Sequence, residues 1–197
     1  MSQGSGKFVS RAGEKLDAAL EAFRLDVSGV VCADFGCNIG GFTDCLLQRG
    51  AAKVYAVDTG YGALAWRLRK DPRVVVMERT NALYVAAPEP VDLIVIDVAW
   101  TPQALAVPAA ARWLKPAAQG GGRIVSLLKP HYELAKSQGR KRATPLTIEE
   151  ARSVCAEGCG QLDRLGLVVL AVAESVLRGK GGNAEFLLLL EPAGYLG

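Results

Sequence analysis

The chain has 197 residues, half of them hydrophobic and 22% charged, which supports a buried core and excludes a disordered tail. That length suits one domain, and two full domains would be cramped. A net charge of +3 does not by itself mark a nucleic-acid binder, so local clustering of Lys and Arg must carry any such reading. The single histidine, His131, excludes a multi-histidine metal site or a two-imidazole acid–base pair, leaving proton transfer to lysine and carboxylates. The five cysteines have no pair-of-pairs spacing and read as reduced thiols. Cys155 and Cys159, four apart on a predicted helix, read as core filler, with half a metal site as the weaker alternative. No targeting signal is visible, and no apolar run reaches the ~18 residues of a membrane span, so the expectation is a soluble cytoplasmic protein.

Residues 1–9 read as a flexible start and residues 10–197 as a single domain, with an N-terminal helical segment over 10–25. Within that segment an amphipathic helix over 10–23 carries Leu16, Ala19, Leu20 and Phe23 on one stripe. Strands and helices then alternate. Strands are predicted at 30–33, 53–57, 74–77, 92–96 and 122–128, with helices at 42–49, 64–69, after Pro102 to about Leu114, and at 148–165. Two closing strands follow at 167–173 and 185–190. Uninterrupted apolar strands such as Leu93 to Ile96 suit a parallel sheet covered on both faces, hence a doubly wound α/β sandwich of seven strands. The gap between the last two strands is too short for a helical crossover, so they should pair antiparallel, a closing hairpin that points toward Rossmann-like methyltransferases. The basic stretch 136–144 reads as a mobile loop.

Two constellations carry chemistry. The first is the run ADFGCNIGGFT at 33–43, between the first strand and its helix, where a nucleotide-type ligand meets free backbone N–H groups. It departs from the dinucleotide fingerprint, and the acid Asp34 suits a cationic or amino-bearing ligand better than phosphates. Asp58, ending the second strand, is positioned for ribose hydroxyls, and Asn81, after the third, for a base. With Gly36, Asn38, Gly40, Gly41, Phe42 and Asp97, these residues read as a site for S-adenosyl-L-methionine; a plain glycine turn between strand and helix is the alternative. The second constellation comes from strand ends. Asp97 closes the fourth strand, Lys129 the fifth, and Glu185 opens the last, all on the carboxyl edge, while Lys15 can reach that edge from the N-terminal helix.

The runs FVSRAGEKL at 8–16, GGFTDCLLQRG at 40–50, VYAVD at 54–58, DPRV at 71–74, ERTN at 78–81, VIDV at 95–98 and LKP at 128–130 closely resemble the TlyA family of FtsJ-like ribosomal RNA methyltransferases, also labelled haemolysins. The resemblance spans about residues 7–191. It implies a Lys-Asp-Lys-Glu tetrad for ribose 2′-O-methylation, carried onto Lys15, Asp97, Lys129 and Glu185. In that reading Lys129 accepts or polarises the hydroxyl proton, the carboxylates orient it, and Lys15 adds a second positive charge near the nascent alkoxide. The resemblance also implies structured, ribosomal RNA as partner and no metal. Departures are Ala12 where the family often has Gly, and Asn38-Ile39 in place of a small polar residue and Thr. About nine residues precede the first helix where members usually carry an RNA-binding S4 domain, so the expectation is a catalytic domain that grips RNA itself. Arg11, Lys136, Arg140, Lys141, Arg142, Arg178 and Lys180 are the cations available, a solvated basic surface being the alternative. Tyr132 can stack on a base or pack internally. Two other functions stay open: methyl transfer to a different nucleophile, and non-catalytic RNA binding or a haemolysin-like role.

Overall fold

A computed structural model of the chain describes residues 6–141 and 143–194. Its elements in order are α1 (Ala12–Ala22), β1 (Val31–Phe35), α2 (Gly41–Gln48), β2 (Lys53–Val57), α3 (Trp66–Arg69), β3 (Val74–Met77), β4 (Leu93–Ile96), α4 (Gln103–Ala111), β5 (Arg123–Leu128), α5 (Pro130–Ser137), α6 (Ile148–Arg164), β6 (Leu167–Glu174) and β7 (Phe186–Pro192). They build one seven-stranded sheet in the order β3-β2-β1-β4-β5-β7-β6. The first five strands pair in parallel, and β7 runs antiparallel to both β5 and β6. The doubly wound sheet with its closing hairpin is therefore as the sequence predicts.

Alternate residues of each central strand feed opposite cores, the period-two consequence of strand geometry. Ala33, Phe35, Ile94 and Ile96 point into a cluster closed by α4 and α6, while Cys32, Val54, Leu93 and Val95 point into one closed by α1, α2 and α3. Trp113 anchors the first cluster, edge-on to Phe35 at 5.0 Å, with its indole N–H donating to the Val85 carbonyl at 3.1 Å. Helix α6 starts at a capping box between Thr147 and Glu150, legible in its sequence spacing.

Three local differences bear on the site. Strand β1 runs two residues beyond the predicted end, so Asp34 lies inside the sheet. Helix α5 occupies part of the basic stretch expected to be a mobile loop, and Lys136 sits on that helix. Pro130 looks like a breaker after a strand, yet at the first helical position its fixed φ suits the helix start, with Lys129 as N-cap. At the N-terminus, residues 1–5 of the stretch expected to be flexible lie outside the described residues, while Phe8 is buried and the Val9 N–H donates to Asp44 Oδ2 at 2.7 Å. Among the described residues no helix is long and apolar enough to cross a membrane.

Candidate active site

Strands β1 and β4 are neighbours whose chains leave in opposite directions, which opens a crevice beyond their carboxyl ends. Gly36 (φ +84°) stands at that point, and a Cβ there would lie 2.5 Å from the Asp97 carbonyl oxygen, so only glycine lets the two strand ends come this close. Asp34 is wholly buried. Its Oδ2 accepts from the Thr43 backbone N–H at 2.9 Å and the Thr43 hydroxyl at 2.6 Å, whereas Oδ1 has no partner. Burial above all pushes the Asp34 pKa up to about 7, against the lowering pull of the Thr43 hydroxyl and with the charges of Asp97 and Asp58 adding to the rise.

A cleft of about 420 Å³ lies over the ends of β1, β2 and β4, lined by Gly36, Asn38, Asp58, Gly60, Asn81 and Asp97 among others. A second hollow of about 210 Å³, lined by Ser10, Asp34, Gly41, Phe42, Asp97 and Lys129 among others, adjoins it. Gly36, Asn38, Asp97 and Ala99 line both, so the two form one groove. Asp58 fixes its own walls: Oδ2 accepts from the Asn38 N–H at 2.9 Å and Oδ1 from the Gly60 N–H at 2.7 Å. Asn81 is exposed on the cleft wall and holds a turn, its Oδ1 accepting from the Leu83 N–H at 3.0 Å.

Two glycines read from the sequence as cofactor contacts have different physical reasons. Gly40 lines neither hollow; it is the left-handed N-cap of α2 (φ +100°), and a Cβ there would press within 2.7 Å of Leu64 Cδ1. Gly41 borders the smaller hollow, but its bare backbone is needed by α1: a Cβ would stand 2.9 Å from both Ala12 Cβ and the Gly13 nitrogen. Gly13 answers from the other side, where a Cβ would lie 2.8 Å from the Gly41 carbonyl oxygen. The two glycines let α1 cross α2 closely, and α1 carries Lys15 to the sheet edge.

There the four predicted strand-edge residues form two ion pairs. Lys15 Nζ meets Glu185 Oε2 at 2.5 Å, and Lys129 Nζ is hydrogen-bonded to Asp97 Oδ1. The Leu128↔Phe186 pairing of β5 and β7 puts Lys129 and Glu185 next to each other just past the ladder. The Glu185 carboxylate packs on Gly179, where a Cβ would lie 2.6 Å from Glu185 Cδ. Gly179 is thus the glycine that admits it. Below the site, Glu133 Oε1 accepts from the Gln103 N–H at 2.8 Å, and the Gln103 amide reaches Ser126 and the Leu127 carbonyl, tying α5 to α4 and β5.

The candidate RNA contacts divide. Arg11, Lys136, Arg140 and Lys141 are exposed, Arg178 is paired with Glu174 at 3.1 Å, Lys180 lies in the 3-10 segment Lys180–Gly182, and Arg142 is outside the described residues. Sequence reasoning missed Trp100. It sits at φ +58°, stacks on Tyr132 with ring centroids 4.7 Å apart, and has the Lys136 ammonium 5.5 Å from its ring. Also missed were exposed Tyr61 and Trp66, covered by Arg79 and Lys70 respectively. Isolated aromatics carry no periodic signal, so only the fold shows which ring or cation each one meets. Cys155 and Cys159 hydrogen-bond each other on α6, which lowers the Cys159 thiol below its usual range, and no cluster of metal ligands forms among the described residues.

Residues 8–191 match the family described as FtsJ-like methyltransferase. The 16S/23S rRNA (cytidine-2′-O)-methyltransferase TlyA of Mycobacterium tuberculosis is 45% identical over 93% of this chain and 68% of that protein. The crystal structure of a hemolysin candidate from Lactococcus lactis is 34% identical, covers 95% of this chain and 90% of that one, and superimposes with a TM-score of 0.84. A Burkholderia thailandensis 1,6-didemethyltoxoflavin-N1-methyltransferase, 16% identical with a TM-score of 0.64 over 93% of this chain and 80% of that one, shares the fold alone. With the sheet order, the crevice and these matches together, the chain belongs to the FtsJ-like methyltransferase family.

Proposed function

We propose that this chain transfers a methyl group from S-adenosyl-L-methionine to a ribose 2′-hydroxyl of ribosomal RNA. The observation that carries the reading is the Lys129–Asp97 pair on a groove that also holds a buried carboxylate oxygen without a partner, with the Lys15–Glu185 pair next to it at the same sheet edge. The donor set fits the cofactor. Asp34 Oδ1 is the free acceptor for an ammonium group, Asp58 keeps lone pairs for ribose hydroxyls, and Asn81 borders the larger hollow where a base would lie. When bound, the cofactor supplies an activated methyl group on a positively charged sulfur.

The residues of the chain then have mainly to position and to hold charge. Asp97 borders both hollows and grips Lys129, so it sets the lysine at the junction of cofactor and substrate space. Lys129 accepts or polarises the proton of the 2′-hydroxyl, and Lys15, steadied by Glu185, adds positive potential where the alkoxide forms. RNA phosphates would meet the exposed Arg11, Lys136, Arg140 and Lys141, and a base can extend the Trp100–Tyr132 stack. The named substrate of the M. tuberculosis relative, a cytidine 2′-hydroxyl of 16S and 23S rRNA, supports the same choice. The test is incubation with methyl-labelled cofactor and bacterial rRNA, followed by alkaline hydrolysis. Label in an alkali-resistant dinucleotide supports 2′-O-transfer; label on a base, or none in RNA, overturns it.

A further inference from the structure

His131, close in sequence to Lys129, has no task in the transfer described above. It occupies the second position of α5, two residues after Lys129, and is only 5% exposed. Its Nδ1 is fully enclosed and has no hydrogen-bond partner, while its ring packs against Tyr132 at 4.2 Å between centroids. The charged groups that act on it are Lys129, from the end of β5, and Lys15, from α1, each already engaged by a carboxylate, Asp97 and Glu185 respectively. The N-terminal end of α5 is a third positive influence. A buried ring nitrogen left without a partner is costly unless some state of the site uses it.

We propose that His131 is a positioning residue, a neutral imidazole whose Nδ1 lone pair receives a lysine N–H when an incoming ribose hydroxyl competes for the carboxylate that held it. The proposal deepens the methyl-transfer reading and rests on it. Its neutral form is what the surroundings favour: burial lowers the His131 pKa below the ordinary 6.5, and the Lys129 and Lys15 charges lower it further. Protonation would remove the lone pair and add a positive charge where Lys129 and Lys15 already oppose one. At saturating S-adenosyl-L-methionine, where the pH dependence of cofactor binding through Asp34 no longer shows, transfer should therefore fall on acidification through that lowered pKa.

Because the chain has a single histidine, its imidazole can be followed by NMR in the untagged protein without assignment. The expected midpoint lies below 6.5 and moves up when Lys129→Met removes the neighbouring charge; a midpoint at or above 6.5, or one indifferent to Lys129→Met, overturns the proposal. This readout does not depend on turnover, so its failure is distinct from failure of the methyl-transfer reading. In kinetics, His131→Gln keeps an acceptor that does not titrate, and it should keep kcat within about threefold while abolishing the acidic limb. His131→Leu keeps bulk without an acceptor and should lose about tenfold in kcat with cofactor affinity unchanged, the effect of one lost hydrogen bond. An acidic limb retained by His131→Gln, or equal kcat values for the two variants, contradicts it.

Discussion

Replacing Asp34 by Asn removes a carboxylate that the fold buries completely and satisfies on one oxygen only. Its pKa rises from 3.8 to about 7 in the folded chain, so between those values the folded state keeps a proton that the unfolded chain has released. Stability of the ligand-free protein must fall as pH rises through this window, by about 1.4 kcal/mol per unit and about 4 kcal/mol in all, and level off above pH 7. No discount for solvent screening applies, because the group has no exposed surface. Asparagine cannot titrate. Its carbonyl can still accept both Thr43 bonds, while its amide meets no partner where Oδ1 stood, a pH-independent cost of about 1–3 kcal/mol. Denaturant unfolding of both proteins from pH 4 to 7.5 should therefore show the variant gaining about 4 kcal/mol relative to wild type, other titrations cancelling in the difference. Binding of S-adenosylhomocysteine should run the other way. Wild-type affinity should climb with pH up to about 7 as Asp34 ionises to take the ligand ammonium, and the variant should lack that climb. A stability difference that stays constant within about 1 kcal/mol across the range would refute the assignment of a buried, protonated Asp34.

Gly179→Ala would drive a methyl group into the Glu185 carboxylate and displace it from Lys15, so kcat should drop at least tenfold, about 1.4 kcal/mol, while the unfolding midpoint changes little. Gly41→Ala instead separates α1 from α2 and should cost about 1–3 kcal/mol of stability, as overpacking does, with loss of activity as Lys15 is withdrawn; a variant of unchanged stability and activity would disprove the close crossing. Neutralising Arg140 and Lys141 together should weaken RNA binding and reduce the salt dependence of log K by about 2. An unaltered slope in filter binding would remove that segment from the RNA surface.

What could be read in the sequence follows from how local its physical causes are. The β4 run Leu93 to Ile96 has no polar residue to spare, so its central place in a two-sided sheet was legible, as was the hairpin from the short link before β7. Asp97, Lys129 and Glu185 could be singled out because each stands at a strand end on one edge, and Lys15 because its helix can fold across that edge. The role of glycine was harder to read. Positive φ and tight turns leave a local signature, but Gly41, Gly13 and Gly179 are small because of residues distant in sequence, and only the folded packing shows which neighbour needs the room. The surroundings of Asp34 were hidden for a similar reason: two further residues of strand bury it beside Thr43, which takes one carboxylate oxygen and leaves the other without a partner. Helix α5 was missed because it has only eight residues and opens on a proline directly after a strand, and it is tied down by the bond between Glu133 and the Gln103 N–H.

Under the proposed function the groove binds the cofactor while Lys129 acts on the hydroxyl. Measuring S-adenosylhomocysteine affinity by calorimetry and labelled methyl transfer to rRNA on the same preparation of Lys129→Ala tests both halves at once. The account predicts affinity within a fewfold of wild type and transfer lowered by about 10²-fold or more. Transfer at the wild-type rate would contradict it.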